Sequence, residues 1–237
     1  MPWNGGLSSL WNHAKLYKLA TGNWFDWHGI CFVCRGLASR KELLCNGCFS
    51  DLPWRPYPRL RRRIESVDAA FAAFRYEFPV TDLVKSVKFH ADLGALSVLT
   101  AGFTEDLLTA LEDVDVVVPV PLLPWRFLRR GFNQAGELAR VLGRTTHRPV
   151  RHDLVSRQHT WGPAQSLLDA AARRDNMKGA FRVAGNFTDL RVAIVDDVIT
   201  TGATCSALAK ALRAAGATRI IAVAAAATAL RRDEVGN

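Results

Sequence analysis

Three apolar runs, VDVVVPVP at 114–121, RVAIVDD at 191–197 and RIIAVAAAATA at 219–229, set the tightest limit on the fold. None alternates apolar with polar residues. Each therefore fits a strand buried on both faces, as in the middle of a parallel sheet. VDAAFAAFRYEF at 67–78 predicts one or two further extended segments, and a strand is expected over 150–155. Helical patterning runs through VTDLVKSVKFH at 80–90, from Leu93 to Leu111, from Gln134 to about Arg144, over 168–174, and through SALAKALRAAGA, which closes at Gly216. Strands alternating with helices predict an α/β protein: a parallel sheet flanked by helices on both faces, with ligand sites beyond the carboxyl ends of its strands.

At 237 residues, with 49% hydrophobic and 22% charged residues, the chain suits one α/β core and a small appendage. The net charge of +9 favours anionic partners such as nucleotides, phosphates or nucleic acid. No run of 18 or more apolar residues occurs, and the N-terminus lacks a leader pattern, so the expected location is the cytoplasm, without membrane insertion. Residues 1–27 carry Leu7, Leu10, Trp11, Ala14 and Tyr17 at helical spacing, an amphipathic segment that would dock on its own core, a partner or a membrane surface. Residues 53–66 read as a Pro/Arg-rich linker. Its Arg59, Arg61, Arg62 and Arg63 suit either a solvated connector or a nucleic-acid contact.

Four of the five cysteines form two CxxC pairs, Cys31 with Cys34 and Cys45 with Cys48. Two such turns place four thiolates around one ion, the donor set of a closed, structural zinc site. A module over 28–52 is too small to bury much surface, so the metal would supply most of its folding free energy. Cys205, in the first turn of a helix, reads as a small packed residue rather than a nucleophile.

Asp196 and Asp197 leave the strand VAIV where a ligand would lie, and Thr200, Thr201, Gly202, Ala203 and Thr204 turn directly into a helix. Successive amides, threonine hydroxyls and a helix N-terminus suit a monophosphate. Two carboxylates beside that pocket would repel phosphate unless they faced vicinal hydroxyls, with or without Mg²⁺. Ribose 5-phosphate presents that pairing. GxxxxGK[ST] and GxGxxG motifs are missing from the sequence, which argues against P-loop hydrolysis and dinucleotide binding.

DDVITTGAT resembles the phosphoribosyl-pyrophosphate (PRPP) motif of type I phosphoribosyltransferases. VPVPLLPWRFLRRGFNQAGELA (118–139), a segment with Arg157, Gln165, Leu168, Arg173, Asn176 and AF at 180–181, and the two CxxC pairs resemble the ComF competence family in particular. The resemblance implies a type I phosphoribosyltransferase-like domain over 67–237 behind the zinc module. It also implies a pyrophosphate loop at 121–133. Arg126, Arg129 and Arg130 suit that role in their own right, because guanidinium forks match a diphosphate. Asn133 and Gln134 would either touch ligand or cap the next helix. Val120–Pro121 is a candidate cis bond.

SRQHTWGPAQS at 156–166 would be a lid, as the family has, with Arg157 and Gln165 contacting ligand and His159 either a solvated or a catalytic side chain. The resulting expectation is Mg²⁺-dependent transfer of phosphoribosyl from PRPP to an unread acceptor, with Asp196, Asp197 and Arg157 at the reacting centre. The alternatives are a single-stranded DNA-binding module and a non-catalytic PRPP sensor in natural transformation, beside a helicase-like partner that the family resemblance implies.

Overall fold

The computed structural model describes residues 29–38, 43–55, 58–158 and 179–229. The segment 1–27, His159, Gln165, Leu168, Arg173, Asn176 and the helix expected over 168–174 lie outside them. Four strands, β1 (Ala69–Arg75), β2 (Val116–Pro119), β5 (Arg191–Ile199) and β6 (Arg219–Ala227), form one sheet in the order β1-β6-β5-β2, every pair parallel. The two central strands are β5 and β6. Val192 to Val195 and Ala222 to Ala227 are buried on both faces, as the unbroken apolar runs require.

Helices α2 (Val80–His90), α3 (Leu93–Thr100), α4 (Glu105–Thr109) and α6 (Gln134–Thr146) contribute to the core on one face. In α2 the buried positions are Val80, Leu83, Val84 and Val87, the stripe of a 3.6-residue period. Asp92 starts α3 by accepting from the amides of Gly94 and Ala95 at 2.9 and 3.1 Å. At Gly143 of α6 a Cβ would lie 2.3 Å from Val150 Cγ2, so glycine is what lets this helix close on the neighbouring chain. The opposite face is covered by α7 (Ala203–Ala214), which buries Cys205, Leu208, Ala209 and Leu212, and by a two-stranded antiparallel unit, β3 (Val155–Arg157) with β4 (Phe181–Val183).

Three local expectations are corrected. Val150 makes one parallel bridge to Val117, while 151–154 turn away around the Arg151–Asp153 ion pair; the strand expected over 150–155 shrinks to β3. The stretch 121–133 contains a short helix, α5 (Pro124–Arg130), bounded by a proline in its first turn and by Gly131 at φ 77°. The cis X-Pro bond among the described residues is Phe78–Pro79, not Val120–Pro121.

Residues 58–64 pack along β1. Leu60 N donates to Ala70 O at 2.7 Å, Ala72 N to Pro58 O at 2.8 Å, and Leu60 and Ile64 are buried against Ile199 and Cys205. The cysteine-bearing segment, with α1 (Asn46–Ser50), also joins the main core: Cys31, Leu44 and Leu52 are buried in one cluster with Phe74, Val80 and Leu83. At the amino ends of the strands Arg191 pairs with Asp115 at 2.8 Å and Arg219 with Asp113 at 3.0 Å. The Arg191 guanidinium and amide hold the Asp115 carboxyl down at about 2.

Candidate functional site

From β2 the chain enters α6 on one face and returns to the sheet margin at Val150. From β5 it enters α7 on the other face and returns through β6, in the opposite direction. Adjacent strands whose crossovers part in this way open a crevice at their carboxyl ends, where α/β proteins take ligands. Asp196 and Asp197 lie in the carboxyl-terminal half of β5, which runs on to Ile199, and α5 with its arginines follows β2.

Asp197 Oδ2 accepts from Gln134 Nε2 at 3.2 Å, and Gln134 Oε1 accepts from Arg130 Nη1 at 3.4 Å. Gln134 is buried and sets the spacing between a carboxylate and a guanidinium. Arg130 also lies over the Phe89 ring, 5.7 Å from its centroid. Burial lowers the Arg130 pKa, as does the charge of Arg126, while Asp197 opposes both. Asn133 is occupied otherwise: its side chain accepts from Ala135 N at 3.2 Å and donates to Val120 O at 3.0 Å, which makes it the cap of α6.

Asp196 keeps part of its surface open, yet its carboxyl is held well above the usual range. Burial is the first cause and the neighbouring Asp197 the second; Arg157 pulls the other way. Arg157 is itself lowered by burial and by Arg126, against the pull of Asp196, and its guanidinium stands 5.5 Å from the Phe181 ring centroid. Arg157 thus stands between the charges of Arg126 and Asp196. Cys205 lies behind the acidic pair; burial first, then Asp196 and Asp197, push its thiol up, which suits packing and not nucleophilic attack.

Thr200 and Thr201 are exposed, and Gly202 at φ 84° caps α7. A Cβ on Gly202 would lie 2.8 Å from Ile64 Cγ1, so both the backbone angle and the packing require glycine. Ala203 N donates to Thr201 Oγ1 at 3.3 Å. Among the described residues the amides of Thr201, Gly202 and Thr204 donate to no group, which leaves a cup of N–H donors for an anion.

Two features escaped the sequence reading. Arg62 donates to the carbonyl oxygens of Thr200 and Thr228, so it belongs to the turn and is not a free cation on a connector. Helix α5 also displays Trp125, Phe127 and Leu128 outward, beside its arginines.

The second cluster joins Cys31, Cys34, Cys45 and Cys48, whose Sγ atoms all lie within 4.8 Å of one another. Cys34 and Cys45 are 3.8 Å apart, equal to the edge of about 3.8 Å that a tetrahedron with Zn–S bonds of about 2.3 Å requires. Burial works against the Cys31 thiolate, but amides of Cys34, Cys45 and Val33 outweigh it and bring the thiol to about 6. Burial and the three neighbouring sulfurs push Cys48 up. Four thiols so close cannot all ionise without a cation among them, and soft, closed S₄ geometry fits zinc.

Residues 112–235 match the phosphoribosyl transferase domain family. The chain is 33% identical over 227 residues to Competence protein F of Haemophilus influenzae, covering 84% of this chain and 96% of that one. It is 32% identical over 216 residues to the DNA utilization protein YhgH of Escherichia coli K12, covering 85% and 90%. Identity to Competence protein ComFC of Bacillus subtilis is 27% over 188 residues, covering 77% and 71%. No described helix is long and apolar enough to cross a membrane.

Proposed function

Since this chain belongs to the ComF family of phosphoribosyltransferase-domain proteins, we propose that it binds PRPP with Mg²⁺ and transfers the phosphoribosyl group to an acceptor. The observation that carries the reading is the pairing, at one crevice, of free turn amides with a carboxylate doublet. The amides of Thr201, Gly202 and Thr204 and the Thr200, Thr201 and Thr204 hydroxyls take the 5-phosphate. Asp196 and Asp197 accept from the ribose hydroxyls and offer hard oxygen ligands to the metal. A Mg²⁺ ion held there would supply positive charge against the leaving diphosphate.

Arg126, Arg129 and Arg130 face that diphosphate, with Gln134 keeping Arg130 in line. As the bond from C1 to the pyrophosphate oxygen breaks, the electron pair leaves with pyrophosphate and positive charge grows on the ribose, until the acceptor's lone pair forms the new bond to C1 and its proton passes to solvent. Arg157 and the α5 arginines stabilise the departing anion, and Asp196 stabilises the ribosyl cation. No side chain forms a bond to C1, so catalysis is positioning and electrostatics. The four cysteines are assigned to one structural zinc.

Thermal unfolding with PRPP and Mg²⁺ tests the reading. Ligand at 100 times its Kd adds about 2.7 kcal/mol to the wild type and little to the Asp196→Asn/Asp197→Asn variant. Equal responses reject the site.

A second reading rests on α5. Trp125, Phe127 and Leu128 are 43%, 48% and 83% exposed, and the Arg126 and Arg129 guanidiniums lie 5.2 and 5.8 Å from the Trp125 ring centroid. Exposed aromatics interleaved with cations suit single-stranded DNA, whose bases stack while its phosphates meet the arginines. The relatives' names, DNA utilization protein and competence protein, fit such a partner.

A further inference from the structure

Beside the proposed phosphate cup, and outside the region that matches the phosphoribosyl transferase family, the segment 58–68 crosses the sheet margin and reaches the turn at 200–202. Its side chains grip that turn and the helix behind it. Arg62 donates to the carbonyl oxygens of Thr200 and Thr228. Thr228 Oγ1 adds a second donor to Thr200 O at 3.2 Å. Ile64 fills the space that a side chain at Gly202 would need. Glu65 pairs with Lys210 of α7 at 2.7 Å, and Asp68 accepts from Arg213 of α7 and from Ile220 N.

We infer that Arg62 is a positioning residue for the 5-phosphate: by holding the Thr200 carbonyl on the protein side, it aims the Thr201 amide into the crevice. The peptide unit is planar and trans, so its carbonyl and its N–H point in opposite directions. Fixing one fixes the other. A Thr200 carbonyl free to rotate would present a negative dipole end to the phosphate and withdraw a donor at the same time. The guanidinium, with several N–H groups in one plane, can hold Thr200 and Thr228 together, and its charge sits directly behind the anion cup.

The assignment rests on the phosphoribosyl reading, and calorimetric titration of the full chain separates the two. Ribose 5-phosphate and pyrophosphate are titrated separately, each with Mg²⁺, into wild type, Arg62→Ala, Arg62→Lys and Thr228→Val. The expected result is that Arg62→Ala weakens ribose 5-phosphate about tenfold. Arg62→Lys recovers part of the loss, and pyrophosphate, held by α5, stays within about twofold.

Ribose 5-phosphate affinity within about twofold of wild type in Arg62→Ala overturns the assignment. An equal loss for both ligands also overturns it, because that pattern marks general damage to the fold. If Arg62→Ala does not fold, Thr228→Val decides: it removes one donor to Thr200 O, and unchanged ribose 5-phosphate binding refutes the mechanism. Wild type that binds no ribose 5-phosphate sinks the phosphoribosyl reading itself, and the role of Arg62 with it.

Discussion

A carboxylate wrapped by protein and set beside a second one is costly to ionise, and Asp196 is so placed. Its folded pKa lies above its ordinary value of 3.8. The sign follows from proton linkage: over that window the folded state holds more protons than the unfolded, so this group's stabilisation is complete below about pH 4 and is lost as pH rises toward the folded value. Asp115 behaves in reverse. Held at about 2 by Arg191, it contributes above about pH 4 and loses that contribution as pH falls through 2. Asp196→Asn should therefore raise the ligand-free Tm at pH 7 by about 2–4 °C, from about 1 kcal/mol of relieved charge. Melting curves from pH 4 to 8 check this: the gap between variant and wild type widens with pH, and a constant gap contradicts the argument.

At the scale of elements, α5 joins the two proposed activities, because Arg130 reaches Asp197 through Gln134 while Trp125, Phe127 and Leu128 are exposed. Trp125→Ala/Phe127→Ala should weaken a labelled oligo-dT by about tenfold, since stacking contributes about 1–3 kcal/mol per base. Wild-type affinity should fall steeply with salt in fluorescence anisotropy; salt-independent binding, or none, removes the DNA reading. This helix was hidden in the sequence because Trp125, Phe127 and Leu128 give no inward stripe, although Pro124 and Gly131 marked both its ends. The core strands and α7 were legible because β-branched runs and helical periodicity are local signals. The acidic doublet and the turn after it were legible for the same reason, since their chemistry is contiguous. The tie of Arg62 to Thr200, 138 residues away, leaves no local trace.

For the whole molecule, the cysteine cluster shares its core with the sheet, because Cys31, Leu44 and Leu52 are buried with Phe74 and Val80. Chelation should thus reach beyond the small module. Metal analysis should give about one zinc per chain, and its removal should lower the Tm of the entire chain by on the order of 10 °C. A chelated protein that melts like the untreated one would show that the four thiols hold nothing. The sheet extends past the matched family domain as well: β1 pairs with β6 over Ala69–Arg75, yet the family match begins at residue 112. A piece trimmed to the matched segment would leave RIIAVAAAA with one row of amides and carbonyls bare, apolar above and below, and ready to recruit a strand from another molecule. The smallest soluble unit is then larger than the smallest recognisable one.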